Sequence, residues 1–184
     1  MDDLRQFEAF MRAYQDMVYG TALRLLGSEA EAQDIAQEVF IKAHQRFAEL
    51  QSSPTAGGWL KTVARNLSLN HLSRHRARWT HFSDLALPGA EEGDDPLERL
   101  QAPGNDADRW DQEARSAWVE TGLQKLPDAQ RVPLVLYHFE GLSYEEIAER
   151  LTVTVSKVKT DIHRGRTALR RHLVRAGINL GEPN

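Results

Sequence analysis

The chain contains no cysteine. That excludes a disulfide framework and any thiolate-ligated metal centre, and it fits a reducing compartment. A long apolar run is also missing. No stretch approaches the roughly 18 consecutive apolar residues that a membrane span needs. The N-terminus, opening on Met1, Asp2, Asp3, Leu4 and Arg5, is acidic and has no apolar signal core. A soluble, cytoplasmic protein is therefore expected. Catalytic signatures are absent as well: there is no Gly-rich phosphate loop, no His-Glu-x-x-His zinc motif and no Ser/His/Asp arrangement. An enzyme is not expected, nor is a metal or other cofactor. His71 and His75 stand at i, i+4, but no third ligand lies near them, so solvated histidines are the better reading.

Strand signals are scarce, and helical spacing is nearly continuous. Phe7, Phe10, Met11, Tyr14, Val18, Ala22 and Leu25 predict a first amphipathic helix that Gly27 ends. Ser28 and Glu31 form a capping-box pattern that opens a second helix, with Ile35, Val39, Ala43, Phe47 and Leu50 inward. Pro54, Gly57 and Gly58 mark a loop, and Trp59, Leu60, Val63, Leu67 and Leu72 predict a third helix. Composition shifts after Arg78. Asp84, Glu91, Glu92, Asp94, Asp95, Glu98, Asp106, Asp108 and Asp111 face only Arg99 and Arg109, with Pro and Gly interspersed, as in an extended acidic linker. Helical spacing resumes near Glu113 with Ala117, Trp118, Thr121 and Leu126. Asp128 is placed to cap the next helix and Gly141 to close it. Ser143 and Glu146 form a second capping-box pattern ahead of Ile147, Ala148 and Leu151. Thr152 to Thr154 make a turn. A final helix runs from about Val155 to Arg175, with Val158, Ile162, Leu169 and Leu173 inward and Gly177 as its stop. The expected fold is all-α: two small helical domains over 1–78 and 113–178, an acidic linker over 79–112 and a short tail over 179–184.

The formal net charge of −4 argues against a nucleic-acid binder only if the charge is evenly spread. It is not. Lys61, Arg65, Arg74, Arg76 and Arg78 occupy a stretch with no acid. Lys157, Lys159, Arg164, Arg166, Arg170, Arg171 and Arg175 share theirs with Asp161 alone. One basic helix is often just a solvated face; one in each domain suits a two-point contact with a phosphate backbone. A short capped helix, a tight turn and a long basic helix is also the order of a helix-turn-helix. Its second helix presents Ser156, Lys157, Lys159, Thr160 and His163, with Arg164 at the flank and Arg166 further along. Lys and His can donate to guanine acceptors or to phosphates. A plain helical bundle with a charged last helix is the bland alternative.

Several motifs in order resemble those of bacterial RNA polymerase sigma factors of the extracytoplasmic-function subgroup. Glu31-Ala-Gln-Asp-Ile-Ala-Gln-Glu-Val-Phe40 is similar to their polymerase-docking helix, and Trp59-Leu-Lys-Thr-Val-Ala-Arg-Asn66 to the helix before their promoter-melting loop. Leu126-Pro127, Gln130-Arg131, Gly141 to Ala148 and Arg164-Gly-Arg166 resemble their fourth region. The resemblance implies that core RNA polymerase and promoter DNA are partners, and it admits an anti-sigma factor. It implies that Asp34, Gln37, Glu38, Ile41 and Gln45, on one side of the second helix, dock on polymerase. It implies that Arg65, Asn66, Asn70, Arg74 and Arg76 hold unstacked bases of the −10 element, and that the last helix reads the −35 element. Asn66 also fits a helix C-cap, and the two readings stand side by side. Trp59 reads as core, and Trp79 as either core or stacking platform. The acidic linker would thread the polymerase channels; a simple tether is the alternative. Two positions depart from the family pattern. Gln33 replaces a common acid. Asp161 replaces a common Arg, and an acid beside the major groove repels phosphate unless Lys157 or Arg164 pairs with it.

A helix-turn-helix repressor or a response-regulator output domain would share the second domain. Such a protein needs a ligand pocket or phospho-acceptor site in the first, and none is evident. A helical protein–protein adaptor would leave both basic helices unexplained.

Overall fold

The computed structural model describes residues 2–75 and 117–177. Among the described residues every regular element is a helix and none is a strand. The acidic segment, Arg76, Trp79 and the tail lie outside the described residues. The chain divides into two compact units.

The first unit holds α1 (Asp2–Leu26), α2 (Glu29–Gln45), the single turn α3 (Phe47–Leu50) and α4 (Ala56–His75). α1 packs on both α2 and α4. Val18, Ala22, Ala32, Val39, Ala43, Leu60 and Ala64 are fully buried. Alanines at the crossings let the backbones approach closely, and Leu60 supplies bulk; burying a side chain of that size stabilises the fold by about 1.5–3 kcal/mol. Gly27 ends α1 at φ 69, where a left-handed residue closes the helix, and its N–H reaches the Leu23 carbonyl at 2.8 Å.

Three local expectations change in this unit. Ser28 caps α2 through Glu31 N–H at 3.4 Å, but the return bond is not made, because the Glu31 carboxylate lies 3.3 Å from His71 Nε2 on α4. The second helix breaks at Arg46 (φ −118, ψ 19), whose guanidinium pairs with Glu49 at 2.6 Å and sits 5.6 Å over the Trp59 ring. Gly57 and Gly58 belong to α4 rather than to the loop. A Cβ on Gly57 would come within 3.1 Å of the Tyr14 ring, a tight contact that glycine spares where α1 lies against this turn.

The second unit holds α5 (described over 117–124), α6 (Asp128–His138), α7 (Tyr144–Leu151) and α8 (Val155–Arg175). α8 packs on α6 and α7 through Val158, Ile162, Leu169 and Leu173, all buried. α5 turns Leu123 inward, fully buried, whereas Ala117, Trp118 and Thr121 are exposed. Pro127, not Asp128, occupies the cap of α6. Asp128 instead pairs with the buried Arg131, whose Nη1 also donates to the Leu126 carbonyl at 2.8 Å. A buried guanidinium is tolerable only when it is paired in this way. Gly165 sits where α8 crosses α6; a Cβ there would be 3.1 Å from the Gln130 carbonyl oxygen.

Candidate nucleic-acid interface

The helix-turn-helix is fixed at each joint by a local hydrogen bond. Ser143 Oγ accepts from Glu146 N–H at 3.2 Å, and Glu146 accepts from Ser143 N–H at 2.8 Å, so the capping box of α7 is complete. The turn uses Thr152 in the left-handed region at φ 55. Thr154 Oγ1 then caps α8 by accepting from Lys157 N–H at 3.2 Å. No acid stands in the first turn of α8, so nothing offsets the positive end of its dipole, which favours an anion there.

Ser156, Thr160, His163 and Thr167 form one strip of α8 at i, i+4, i+7 spacing, exposed except at the half-buried Thr160. Thr160 donates its hydroxyl hydrogen to the Ser156 carbonyl at 3.0 Å, and Thr167 to that of His163 at 3.0 Å. That leaves the Thr160 oxygen as an acceptor toward a base amino group. Arg164, Arg170 and Arg171 are exposed beside this strip. The helix therefore brings Ser156, Lys159, Thr160, His163 and Arg164 onto or beside one surface.

Lys157 and Arg166 are committed elsewhere. Asp161 is only 8% exposed and does not stand in this strip. Its carboxylate lies 2.9 Å from Lys157 Nζ, one turn back. The repulsion expected of an acid at this position is thus met within the helix, by the pairing that the i, i+4 spacing allows. Arg166 Nε donates to His138 Nε2 at 3.1 Å, and its guanidinium lies 5.6 Å over the Tyr137 ring. Tyr137 stacks on Tyr144 at 4.8 Å with an interplanar angle of 5°, and Lys159 Nζ lies 5.8 Å from the Tyr144 centroid. This aromatic flank was not legible in sequence, since nothing local says that Tyr137 and Tyr144, on either side of a turn, meet face to face.

On α4, Asn66, Asn70 and Arg74 are exposed at successive i, i+4 positions. α4 continues to His75, so Asn66 is mid-helix and the C-cap reading falls. Arg65 is half-buried and stands off this row. Trp59 is partly buried against the core. Ser68, fully buried, donates to the Ala64 carbonyl at 2.8 Å, an inward place that a polar residue does not signal.

Asp34, Gln37, Glu38, Ile41 and Gln45 are all exposed on one side of α2. Ile41 is 54% exposed, unusual for its size. It borders an apolar groove of about 430 Å³ lined by Phe7, Met11, Phe40 and His44, with Gln37 and Gln45 at the rim. A mixed face with an apolar slot suits a protein partner better than a solvated surface does. No helix among the described residues is long and apolar enough to cross a membrane.

The family model described as sigma-70 region 2 matches residues 10–78, and that described as sigma-70 region 4 matches residues 116–169. The chain is 36% identical over 173 residues to the RNA polymerase sigma-H factor of Pseudomonas aeruginosa, covering 93% of this chain and 88% of that protein. It is 33% identical over 172 residues to the ECF RNA polymerase sigma factor SigW of Bacillus subtilis, covering 93% and 90% respectively. A solved structure of the sigma factor RpoE with the anti-sigma factor NepR, from Bartonella quintana, aligns at 18% identity and a TM-score of 0.46, over 91% of this chain and 96% of that one.

Proposed function

The chain belongs to the sigma-70 family of transcription initiation factors, in the extracytoplasmic-function subgroup, and on that footing we propose how its residues divide the work. The protein binds core RNA polymerase and directs promoter-specific initiation. The first domain, 1–78, serves polymerase binding and the −10 element; the second, 113–178, serves the −35 element. The segment 79–112 joins them. RNA synthesis is the polymerase's chemistry, and this chain contributes recognition only, in the cytoplasm where polymerase and DNA meet. An anti-sigma factor is a further partner consistent with the subgroup.

Reading of the −35 element falls to Ser156, Lys159, Thr160, His163 and Arg164. Lys157 and Arg166 shape the helix from within, through Asp161 and through His138 with Tyr137. The observation that carries this assignment is the exposed strip of α8 above a fully capped helix-turn-helix. Arg170 and Arg171 supply phosphate contacts. Asn66, Asn70 and Arg74 face the melted −10 strand, joined by Arg65 at the edge and by Arg76 beyond the described residues. An exposed amide can pair with a splayed base edge, and the arginine can hold the backbone. Asp34, Gln37, Glu38, Ile41 and Gln45 meet a basic helical element of polymerase, with Ile41 and the groove beside it as the apolar centre.

The charge swap Lys159→Glu tests the assignment. Run-off transcription with reconstituted holoenzyme should lose its dependence on the −35 element while keeping its dependence on the −10 element. Unchanged initiation across a panel of −35 variants would remove Lys159 from the reading surface.

A further inference from the structure

Lys159 is a long, flexible side chain, and a reading residue must present its ammonium in a narrow range of positions. A free lysine samples many rotamers, and fixing them costs side-chain entropy. Lys159 is not left to that freedom. Its Nζ lies 5.8 Å from the centroid of Tyr144, within range of the ring's negative face. Tyr144 is itself the first residue of α7, immediately after the Ser143 cap, so the capping box fixes its backbone. Its ring is stacked on Tyr137 at 4.8 Å, nearly parallel at 5°. Tyr137 is braced in turn by Arg166 at 5.6 Å and by the edge of His138 at 5.0 Å. His138 accepts from Arg166 Nε at 3.1 Å, which ties the brace back to α8.

From these contacts we infer that Tyr144, backed by Tyr137, is a positioning residue for base reading: it holds the Lys159 ammonium on the α7 side of the recognition helix and so sets the helix's −35 preference. The ring makes no base contact in this role; it acts through the lysine. The inference rests on Lys159 belonging to the reading surface, as proposed above. A cation over an exposed aromatic ring biases the lysine's position by an amount equivalent to about a two- to fivefold change in discrimination.

The test uses the full chain with core polymerase and promoters whose −35 base pairs are substituted one at a time. Tyr144→Leu keeps apolar volume and removes the π face. It should reduce discrimination about two- to fivefold at the base pairs where Lys159→Met also reduces it. Use of −10 variants should not change, and Tyr144→Phe should restore the original preference. In the Lys159→Met background, Tyr144→Leu should add nothing. Should Tyr144→Leu fail to fold, pentafluorophenylalanine at position 144 keeps the ring's shape while reversing its quadrupole, and it should reproduce the loss.

Effects of Tyr144→Leu and Lys159→Met that multiply would overturn the positioning role. So would a fluorinated ring that leaves discrimination intact. If Lys159→Met alone leaves discrimination unchanged, Lys159 does not read DNA; the reading-surface assignment then falls first, and the positioning role with it.

Discussion

Removing the charge of Asp161 should make promoter binding more salt-sensitive, not merely tighter. Asp161 holds Lys157 Nζ at 2.9 Å, and this pair is largely internal on the acid's side, with 12% of the Asp161 side chain and 37% of the Lys157 side chain exposed. While the pair persists, Lys157 displaces no counterion from DNA. Asp161→Asn keeps the size and a polar terminus but releases the ammonium, which stands in the first turn of α8, beside the strip proposed to read the −35 element. Each phosphate newly neutralised steepens log K against log salt by about 0.9. One released lysine therefore predicts a slope steeper by up to about 0.9, or a further loss of about 3.5-fold between roughly 50 and 200 mM salt. The fold itself should lose little, about 0–1 kcal/mol, because the lysine end of the pair remains solvated. Fluorescence anisotropy of holoenzyme on a labelled promoter fragment, read across a salt series, measures the slope. Two controls isolate the cause. Lys157→Met alone should leave the wild-type slope unchanged, and Lys157→Met combined with Asp161→Asn should abolish the increase. A slope that falls by about 0.9 on Lys157→Met alone would mean instead that Lys157 already engages phosphate despite Asp161.

Three further perturbations follow from the same geometry. Gly165→Ala gains helix propensity of about 1 kcal/mol, yet its Cβ would meet the Gln130 carbonyl oxygen at 3.1 Å, a backbone atom held within α6. Overpacking of about 1–3 kcal/mol should win and lower the thermal midpoint; a raised midpoint would mean that α6 yields easily. Ser143→Ala removes the hydroxyl that caps α7 at Glu146 N–H and should cost about 1 kcal/mol in denaturant unfolding. No loss there would show that Glu146 alone secures the helix start. Ile41→Asp places a charge at the edge of the α2 groove, where the native side chain is 54% exposed. It should weaken association with core polymerase about tenfold or more while leaving the thermal midpoint unchanged, and equal binding by surface plasmon resonance would move the docking centre elsewhere.

Much of this architecture was legible because it is local. Ser143 and Glu146 complete their box within four residues, and Val158, Ile162, Leu169 and Leu173 set the register of α8 by spacing alone. What the sequence concealed depends on contacts between elements. Glu31 has the spacing of a capping box with Ser28, but His71 from α4 draws its carboxylate away. Asp161 reads as a surface acid on any hydropathy scale, yet it lies inward because Lys157 satisfies its charge one turn earlier. In α5, Trp118 is large and apolar at a helical position yet 45% exposed, while the smaller Leu123 goes inside. The break at Arg46 follows from no proline or glycine; the guanidinium lies over Trp59, a residue thirteen positions further along the chain. Of the candidate site, the exposed faces of α2, α4 and α8 could be assigned from periodicity. The tyrosine pair behind Lys159 could not, because a stack across a turn leaves no periodic trace.

Reconstitution with core RNA polymerase measures whether this chain directs promoter-specific initiation. Core enzyme alone and core enzyme with the full chain are compared on a library of promoter fragments, with run-off transcripts as the readout. Initiation should depend on the chain and concentrate on promoters sharing one pair of −35 and −10 elements. Substitution of His163 or Thr160 should shift the −35 preference, and substitution of Asn66 or Asn70 should shift the −10 preference. A chain that binds DNA tightly on its own yet never supports initiation with core polymerase is not acting as a sigma factor.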